Sequence, residues 1–279
     1  MVMLGELIKQ TVTALQPLSL ENPRFEASCL IKAATGLSDI TFLTEPNALV
    51  TEEQQQAVDA MLSRRLSGEP LQYILGEWEF YGFPFKVGEG VLIPRQDTET
   101  LVELAEQHTG SEMLCADLCA GSGCIGISLA RLTGCKFHSY ELSDKALGYL
   151  KENIVLNEVQ SLVTAIKADV ISEQTVEAAP MYDIIVSNPP YLTAEEMTRL
   201  QKEVAFEPSM ALIGGEDGLD FYRAILRLWT KRLKAGGLFA VEIGETQAEA
   251  VSQLFSENGI TPQVLQDLCH NDRVVYGIK

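Results

Sequence analysis

The sequence predicts an α/β protein: a mainly parallel, doubly wound sheet in its C-terminal part, preceded by a small helical bundle and joined to it by a β-hairpin. Three observations carry this expectation. Up to about residue 75 apolar residues recur at helical spacing. Between 76 and 95 large aromatics alternate with polar residues among glycines. From about 97 onward strand-like and helix-like stretches alternate, the pattern of a parallel sheet with helices on both faces.

The elements follow in order. Leu4, Leu7, Ile8, Thr11, Val12 and Leu15 share one helical face. Asn22-Pro23 supplies an N-cap and a first-turn proline for a second helix through Ala33, ending near Gly36. Thr51 with Gln54 forms a capping-box pattern for a third, through Leu66 and closed by Gly68. We expect a helical domain over 1–75, a hairpin linker over 76–96 and the sheet domain over 97–279. Candidate strands are 113–119, 136–142, 163–169, 182–188, 237–244 and 273–279, with helices between most of them, such as 144–157 and 220–233.

Bulk properties narrow the function. Against 39 acidic residues stand 21 basic ones, a formal charge of −18, which disfavours direct nucleic-acid binding because phosphate contacts rest on Lys and Arg. The N-terminus meets Glu6 with no early basic cluster, and no apolar run is long enough to span a bilayer, so a cytoplasmic protein without membrane attachment is expected. Six scattered cysteines show no CxxC pair, and three isolated histidines form no ligand set; no metal is expected.

In doubly wound sheets ligands bind beyond the carboxyl ends of the strands. Four such exits here are chemically unusual. The first is 117-DLCAGSGCIGISLA-130, where Asp117 precedes the turn Cys119, Ala120, Gly121, Ser122 and Gly123 and a small-residue helix follows. Glycines admit a ligand close to the backbone, and the helix start offers free N–H groups. A tight structural turn would show the same residues. Glu141 lies 24 positions after Asp117 at the next strand end, where a carboxylate accepts hydrogen bonds from ribose hydroxyls. Asp169, followed by Val170, stands at a third exit, placed to accept from an adenine amino group. Taken singly, each acid is also what a solvated strand end looks like; in sequence, the three exits describe an adenosyl pocket. A Walker lysine is absent, so a nucleoside triphosphate is not indicated.

The fourth exit is 184-IIVSNPPYLT-193. An amide or exocyclic amine is a poor nucleophile because its lone pair is delocalised. To attack a methyl group it must be held by acceptors on its hydrogens. The Asn188 side-chain oxygen is one, and the Pro189 carbonyl, immobilised by Pro190, is a natural second; proline brings fixed φ and no competing N–H. Tyr191 can stack on the planar group. Catalysis would then be positioning and preorganised hydrogen bonding. A proline-stopped strand is the bland alternative for these four residues alone.

Asn-Pro-Pro-Tyr after a hydrophobic strand resembles the amino-group class of S-adenosylmethionine-dependent methyltransferases. The segments 68-GEPLQYILGEWEFYG-82, 91-VLIPRQDTETLVE-103, 206-FEPSMALIGGEDGLDFYR-223, 236-GGLFAVEIGETQ-247 and 272-DRVVYG-277 further resemble the family that methylates the glutamine of the Gly-Gly-Gln motif in peptide-chain release factors. The resemblance covers almost the whole chain. It implies a Rossmann-like, seven-stranded methyltransferase sheet behind a helical domain that recognises the substrate. The implied cofactor is S-adenosylmethionine, leaving as S-adenosylhomocysteine, and the implied partner is a release factor. Gly121 and Gly123 would border the methionine portion, Glu141 the ribose, and Asp169 with Val170 the adenine. Asn188, at the edge of the cofactor, would hold the substrate amide together with Pro189, Pro190 and Tyr191.

The chain departs from the family in three places. Cys119, followed by Ala120, stands at the family's usual glycine. Pro94-Arg95-Gln96-Asp97-Thr98-Glu99 lacks the second proline of Pro-Arg-Pro-Glu-Thr-Glu. The stretch 267-DLCHND-272 replaces a turn that commonly contains glycine. A ribosomal-protein glutamine N5-methyltransferase, an adenine N6-methyltransferase and a non-enzymatic cofactor-binding scaffold are the competing readings. The last two would need a basic recognition region and a damaged amide motif respectively, and the sequence shows neither.

Overall fold

The computed structural model describes residues 1–199 and 202–279, which divide into two compact units: 1–76 with 202–206, and 77–199 with 207–279. In the first, a short strand β1 (Val2–Met3) leads into helix α1 (Leu4–Leu15), which buries Leu4, Leu7, Thr11 and Leu15 on one face. Helix α2 (Pro23–Thr35) starts where Asn22 accepts the Phe25 N–H at 3.0 Å and stops at Gly36, whose φ of +68° is left-handed. Helix α3 (Asp39–Thr44), capped by Ser38, is an element that the periodicity does not reveal, since Ile40 and Leu43 are exposed. Strand β2 (Leu49–Val50) pairs antiparallel with β1. Helix α4 (Glu52–Leu66) has the full capping box: Gln54 N–H to Thr51 Oγ1 at 3.2 Å and Thr51 N–H to Gln54 Oε1 at 3.0 Å. The short α5 (Leu71–Leu75) follows. Leu4, Leu7, Ile31, Val50 and Val58 form the core of this unit. Arg65, 2% exposed, is neutralised by Glu26 at 2.6 Å and by Glu203.

The second unit opens with the hairpin β3 (Glu77–Phe80) and β4 (Phe83–Lys86). Tyr81 and Gly82 both have positive φ, 52° and 77°, as a two-residue type I′ turn requires. The paired strands are shorter than the 76–96 segment expected from sequence. Then come α6 (Glu99–Glu106), β5 (Leu114–Leu118), α7 (Cys124–Thr133), β6 (Lys136–Glu141), α8 (Asp144–Leu156), β7 (Val163–Lys167), α9 (Glu173–Ala178) and β8 (Tyr182–Ser187). A turn of helix α10 (Ala194–Met197), α11 (Asp220–Trp229), β9 (Leu233–Glu242), α12 (Ala248–Glu257), β10 (Gln263–Gln266) and β11 (Asp272–Ile278) complete it.

The sheet has seven strands in the order β10-β11-β9-β8-β5-β6-β7. From β9 to β7 neighbours run parallel, while β11 is antiparallel to β9 and β10 to β11. β10 has no counterpart among the strands read from sequence. It is an edge strand with mostly exposed side chains and so lacks a buried run. Successive side chains alternate between two cores. Cys115, Ile184 and Val186 face α6, α7 and α8; Ala116, Leu118 and Ile185 face α11 and α12. The chain leaves β5 toward β6 and β7 and returns to β8 on its other side. The reversal of strand order therefore lies between the carboxyl ends of β5 and β8, where doubly wound sheets open a crevice.

Candidate functional site

The crevice is a pocket lined at the β5 exit by Cys119, Ala120, Gly121 and Ser122. The turn is drawn back over the strand ends, because Ala120 N–H donates to the Tyr140 carbonyl at 2.9 Å and Gly123 N–H to the Ala120 carbonyl at 2.7 Å. Its glycines do different work. A Cβ on Gly121, φ +56°, would meet nothing within 4 Å, so this backbone faces open space that a ligand can fill. Gly123 does not line the pocket: a Cβ there would lie 2.4 Å from Leu150 Cδ1, so its bareness serves packing of α7 on α8. Cys119 holds a φ of +60° in spite of its side chain, a conformation that costs a non-glycine residue about 1 kcal/mol. Burial, with the Glu141 charge adding, holds its thiol far above the usual range.

Asp117 is fully buried beneath the turn and does not line the pocket. Its Oδ2 accepts the Gly126 N–H at 3.1 Å, pinning the first turn of α7, and its Oδ1 has no partner. Burial pushes this carboxyl up to about 7, offset in part by the Gly126 N–H and reinforced by the Glu141 charge.

Glu141, at the end of β6, lines the pocket, with Oε2 accepting Gly121 N–H at 2.8 Å and Oε1 accepting Ser143 N–H at 2.7 Å. Each oxygen keeps a further lone pair for a hydroxyl donor. Asp169 and Val170 form the wall beyond β7. Asp169 Oδ1 accepts the Ile171 N–H at 3.0 Å, and the Val170 carbonyl is held by the buried Trp229 indole at 2.7 Å. Apolar Val91, Ile93 and Ile125 complete a slot that offers the Glu141 and Asp169 acceptors and the bare backbone of Gly121. That donor and acceptor set fits a nucleoside with a short polar tail.

Asn188 and Pro190 reach the same pocket from the β8 exit; Pro189 is buried and Tyr191 half-buried against the α11 and α12 core, neither of them lining it. Asn188 turns Nδ2 inward to Thr98 Oγ1 at 3.3 Å. No donor among the described residues reaches the Pro189 carbonyl. Burial, then the Glu242 carboxylate, raises the Tyr191 phenol above its ordinary range.

Sequence reasoning assigned no role to the residues that brace this stretch. Gln247 Nε2 donates to the Tyr191 carbonyl at 3.1 Å and to the Gly218 carbonyl at 3.3 Å, while its Oε1 accepts Gly244 N–H at 3.0 Å. A Cβ on Gly214 would lie 2.6 Å from the Pro190 carbonyl, and one on Gly218 would lie 2.3 Å from that of Tyr191. The glycines of 213-IGGEDG-218 thus let one loop lie directly on the motif. Glu207, 6% exposed, accepts the Ile93 N–H at 3.0 Å and pairs with Arg95, tying two walls of the pocket together. Asn153, fully buried, donates to the Ser122 carbonyl at 2.9 Å and to the Lys86 carbonyl at 3.1 Å and accepts the Lys86 backbone N–H at 2.6 Å, so one side chain links the glycine turn, α8 and the hairpin. For all of these but Asn153, which lies outside them, the available signal was their place inside segments already set apart by resemblance.

Among the described residues no group of three His, Cys, Asp or Glu side chains could hold a metal ion, and no helix is long and apolar enough to cross a membrane.

Comparison with known proteins agrees with this geometry. Residues 6–76 match the family model of the PrmC N-terminal domain, and residues 96–211 that of the methyltransferase small domain. The chain is 38% identical to a release factor glutamine methyltransferase of Thermodesulfovibrio yellowstonii, over 90% of each chain. It is 34% identical to one of Clostridium botulinum, over 98% of each. A solved methyltransferase of Pyrococcus furiosus superposes with a TM-score of 0.54 at 15% identity, over 79% of this chain and 98% of that one, and shares the fold.

Proposed function

The chain belongs to the release factor glutamine methyltransferase family, and from that premise we propose that it transfers a methyl group from S-adenosylmethionine to the side-chain amide nitrogen, N5, of the glutamine in the Gly-Gly-Gln motif of peptide-chain release factors. One observation carries the reading: Asn188 and Pro190 of the Asn-Pro-Pro-Tyr stretch, at the exit of β8, line the same pocket as Gly121, Glu141 and Asp169.

The cofactor supplies, when bound, an electrophilic methyl group on a sulfonium centre. The rest is the work of the chain. The open face of Gly121 and the neighbouring Cys119, Ala120 and Ser122 would cradle the amino-acid portion. Glu141 would hold the ribose hydroxyls, and Asp169 with Val170 the adenine. Asp117 and Gly123 support these groups from beneath, Asp117 by pinning α7 and Gly123 by packing. Asn188 Oδ1 and the Pro189 carbonyl accept the two hydrogens of the substrate amide, holding its nitrogen lone pair toward the reacting carbon. The Tyr191 ring, its carbonyl fixed by Gln247, gives the amide plane a face to rest on. A neutral amide nitrogen needs no prior base; it sheds a proton to water after transfer. The helical unit over 1–75 serves recognition of the protein substrate, the hairpin over 76–96 is the linker, and residues 97–279 are the methyltransferase domain, working in the cytoplasm.

Peptide mass spectrometry of a purified release factor after incubation with this protein and S-adenosylmethionine tests the proposal. A single added methyl on the Gly-Gly-Gln glutamine is expected. Cofactor binding by calorimetry without that product would refute the substrate and turn attention to ribosomal-protein glutamines.

A further inference from the structure

The segment 242-EIGETQ-247 holds a residue for which the reaction outlined above has no use. Glu242 ends β9, the parallel neighbour of β8, and the register Ser187↔Val241 places it level with Asn188. It is 1% exposed, and its Oε2 has no hydrogen-bond partner. Thr98, also 1% exposed, stands in the turn before α6 and accepts the Asn188 Nδ2–H at 3.3 Å. The Thr98 hydroxyl and the Asn188 amide are neighbours of the Glu242 carboxyl that favour its charged form.

We propose that Glu242, acting through Thr98, is the positioning residue that sets which end of the Asn188 carboxamide faces the substrate. This deepens, and rests on, the reading of the site as an amide methyltransferase. An ionised carboxylate only accepts hydrogen bonds. The Thr98 hydroxyl therefore donates to Glu242, its lone pair receives Asn188 Nδ2–H, and Oδ1 is the end left for the pocket. The reversed amide would set Oδ1 against the Thr98 lone pairs and the Glu242 charge, and offer N–H groups to a substrate that itself brings N–H groups. A protonated carboxyl or a carboxamide at 242 can donate as well as accept, so the ordering loses its direction.

The groups around Glu242 are Arg273 of β11, Asp97 beside Thr98, Tyr191 after β8, Tyr222 of α11 and Cys124 of α7, with Asp267 bonded to Arg273 at 3.1 Å. Burial raises the Glu242 carboxyl to about 7, against the opposing effects of Thr98, Arg273 and Asn188, with Asp97 adding to the rise. The ordering is accordingly complete above neutrality and lost as pH falls through that region.

The test has two arms. In protein labelled with 15N-asparagine, the side-chain amide pair of Asn188, assigned by its absence in Asn188→Ala, should titrate near neutral pH and cease to do so in Glu242→Gln. In single-turnover methylation of a release factor, the wild-type rate should fall on the acid side. Glu242→Gln and Thr98→Val should each lower it by about tenfold or more, with cofactor affinity and substrate KM held. Glu242→Asp and Thr98→Ser should recover part of the rate. A wild-type rate in Thr98→Val, or in a folded Glu242→Gln, would overturn the proposal, as would an Asn188 titration that survives Glu242→Gln. If wild-type protein left the release factor unmethylated, the substrate reading would fail, and the resonance titration would still decide the Glu242 link.

Discussion

At the scale of single residues, the site separates groups that touch a ligand from groups that hold them. Asn188 faces the pocket with one end and the protein with the other. Asn188→Ala should lower the single-turnover rate by about a hundredfold or more while leaving cofactor affinity nearly unchanged, because the lost acceptor acts on the reacting amide. Calorimetry beside rapid-quench kinetics measures both. The departures from the family's glycine-bearing turns have a conformational reading that sequence could not supply. Cys119 and His270 both adopt left-handed backbone, at φ +60° and +65°. The first strains the cofactor turn. The second closes a turn in which Asp267 Oδ1 already binds two N–H groups, of Cys269 at 2.9 Å and Asn271 at 3.0 Å. Asp117 shows the opposite limit of sequence reading. Its position at a strand end was legible, but its complete burial was not, because burial depends on Gly126 and Ser139 lying against it.

At the scale of elements, the hairpin that the sequence marks as a linker is hydrogen-bonded to α8 through its strand β4. Asn153 reaches Lys86 and Ser122, and Asn157 Nδ2 donates to the Pro84 carbonyl at 2.8 Å. Asn153→Ala would strand a buried N–H and two carbonyls, at a cost of roughly 2–4 kcal/mol, and would loosen the glycine turn. Thermal melting should register the loss of stability, and cofactor titration a weaker site. Strand boundaries were legible to within a few residues where both faces are buried, as in β8. They were not at β10, whose Gln263–Gln266 side chains mostly face solvent and leave no apolar signature.

For the whole molecule, two fully buried carboxyls each make stability fall as pH rises. Asp117 and Glu242 are both raised in the folded state to about 7, from ordinary values of 3.8 and 4.5. Such groups contribute stability that is fully present below the unfolded values and lost as pH rises through the folded ones. Asp117→Asn removes one of them, so its melting temperature relative to wild type should be higher at pH 8 than at pH 6. An unchanged difference would show that Asp117 does not carry a raised pKa. On the helical unit, Ile40 and Leu43 stand exposed three residues apart on α3, at 74% and 79%. If this unit recognises the protein substrate, a double change to serine should raise KM for the intact release factor several-fold and spare cofactor binding. Steady-state kinetics with intact factor and with a short Gly-Gly-Gln peptide would separate the two effects.

What the sequence by itself determined were the features that one local stretch can encode. Periods of two and of 3.6 residues, a proline-stopped strand, a glycine turn and helix caps are written in adjacent residues, and they located the unusual strand exits. What only the tertiary structure decided was which exits meet. The reversal of strand order between β5 and β8 sets Asn188 beside Gly121, and the β8–β9 register sets Glu242 beside Asn188 and Thr98. Thr98, Asn188 and Glu242 are far apart in the chain. Their meeting is a product of crossovers and packing that no local pattern records.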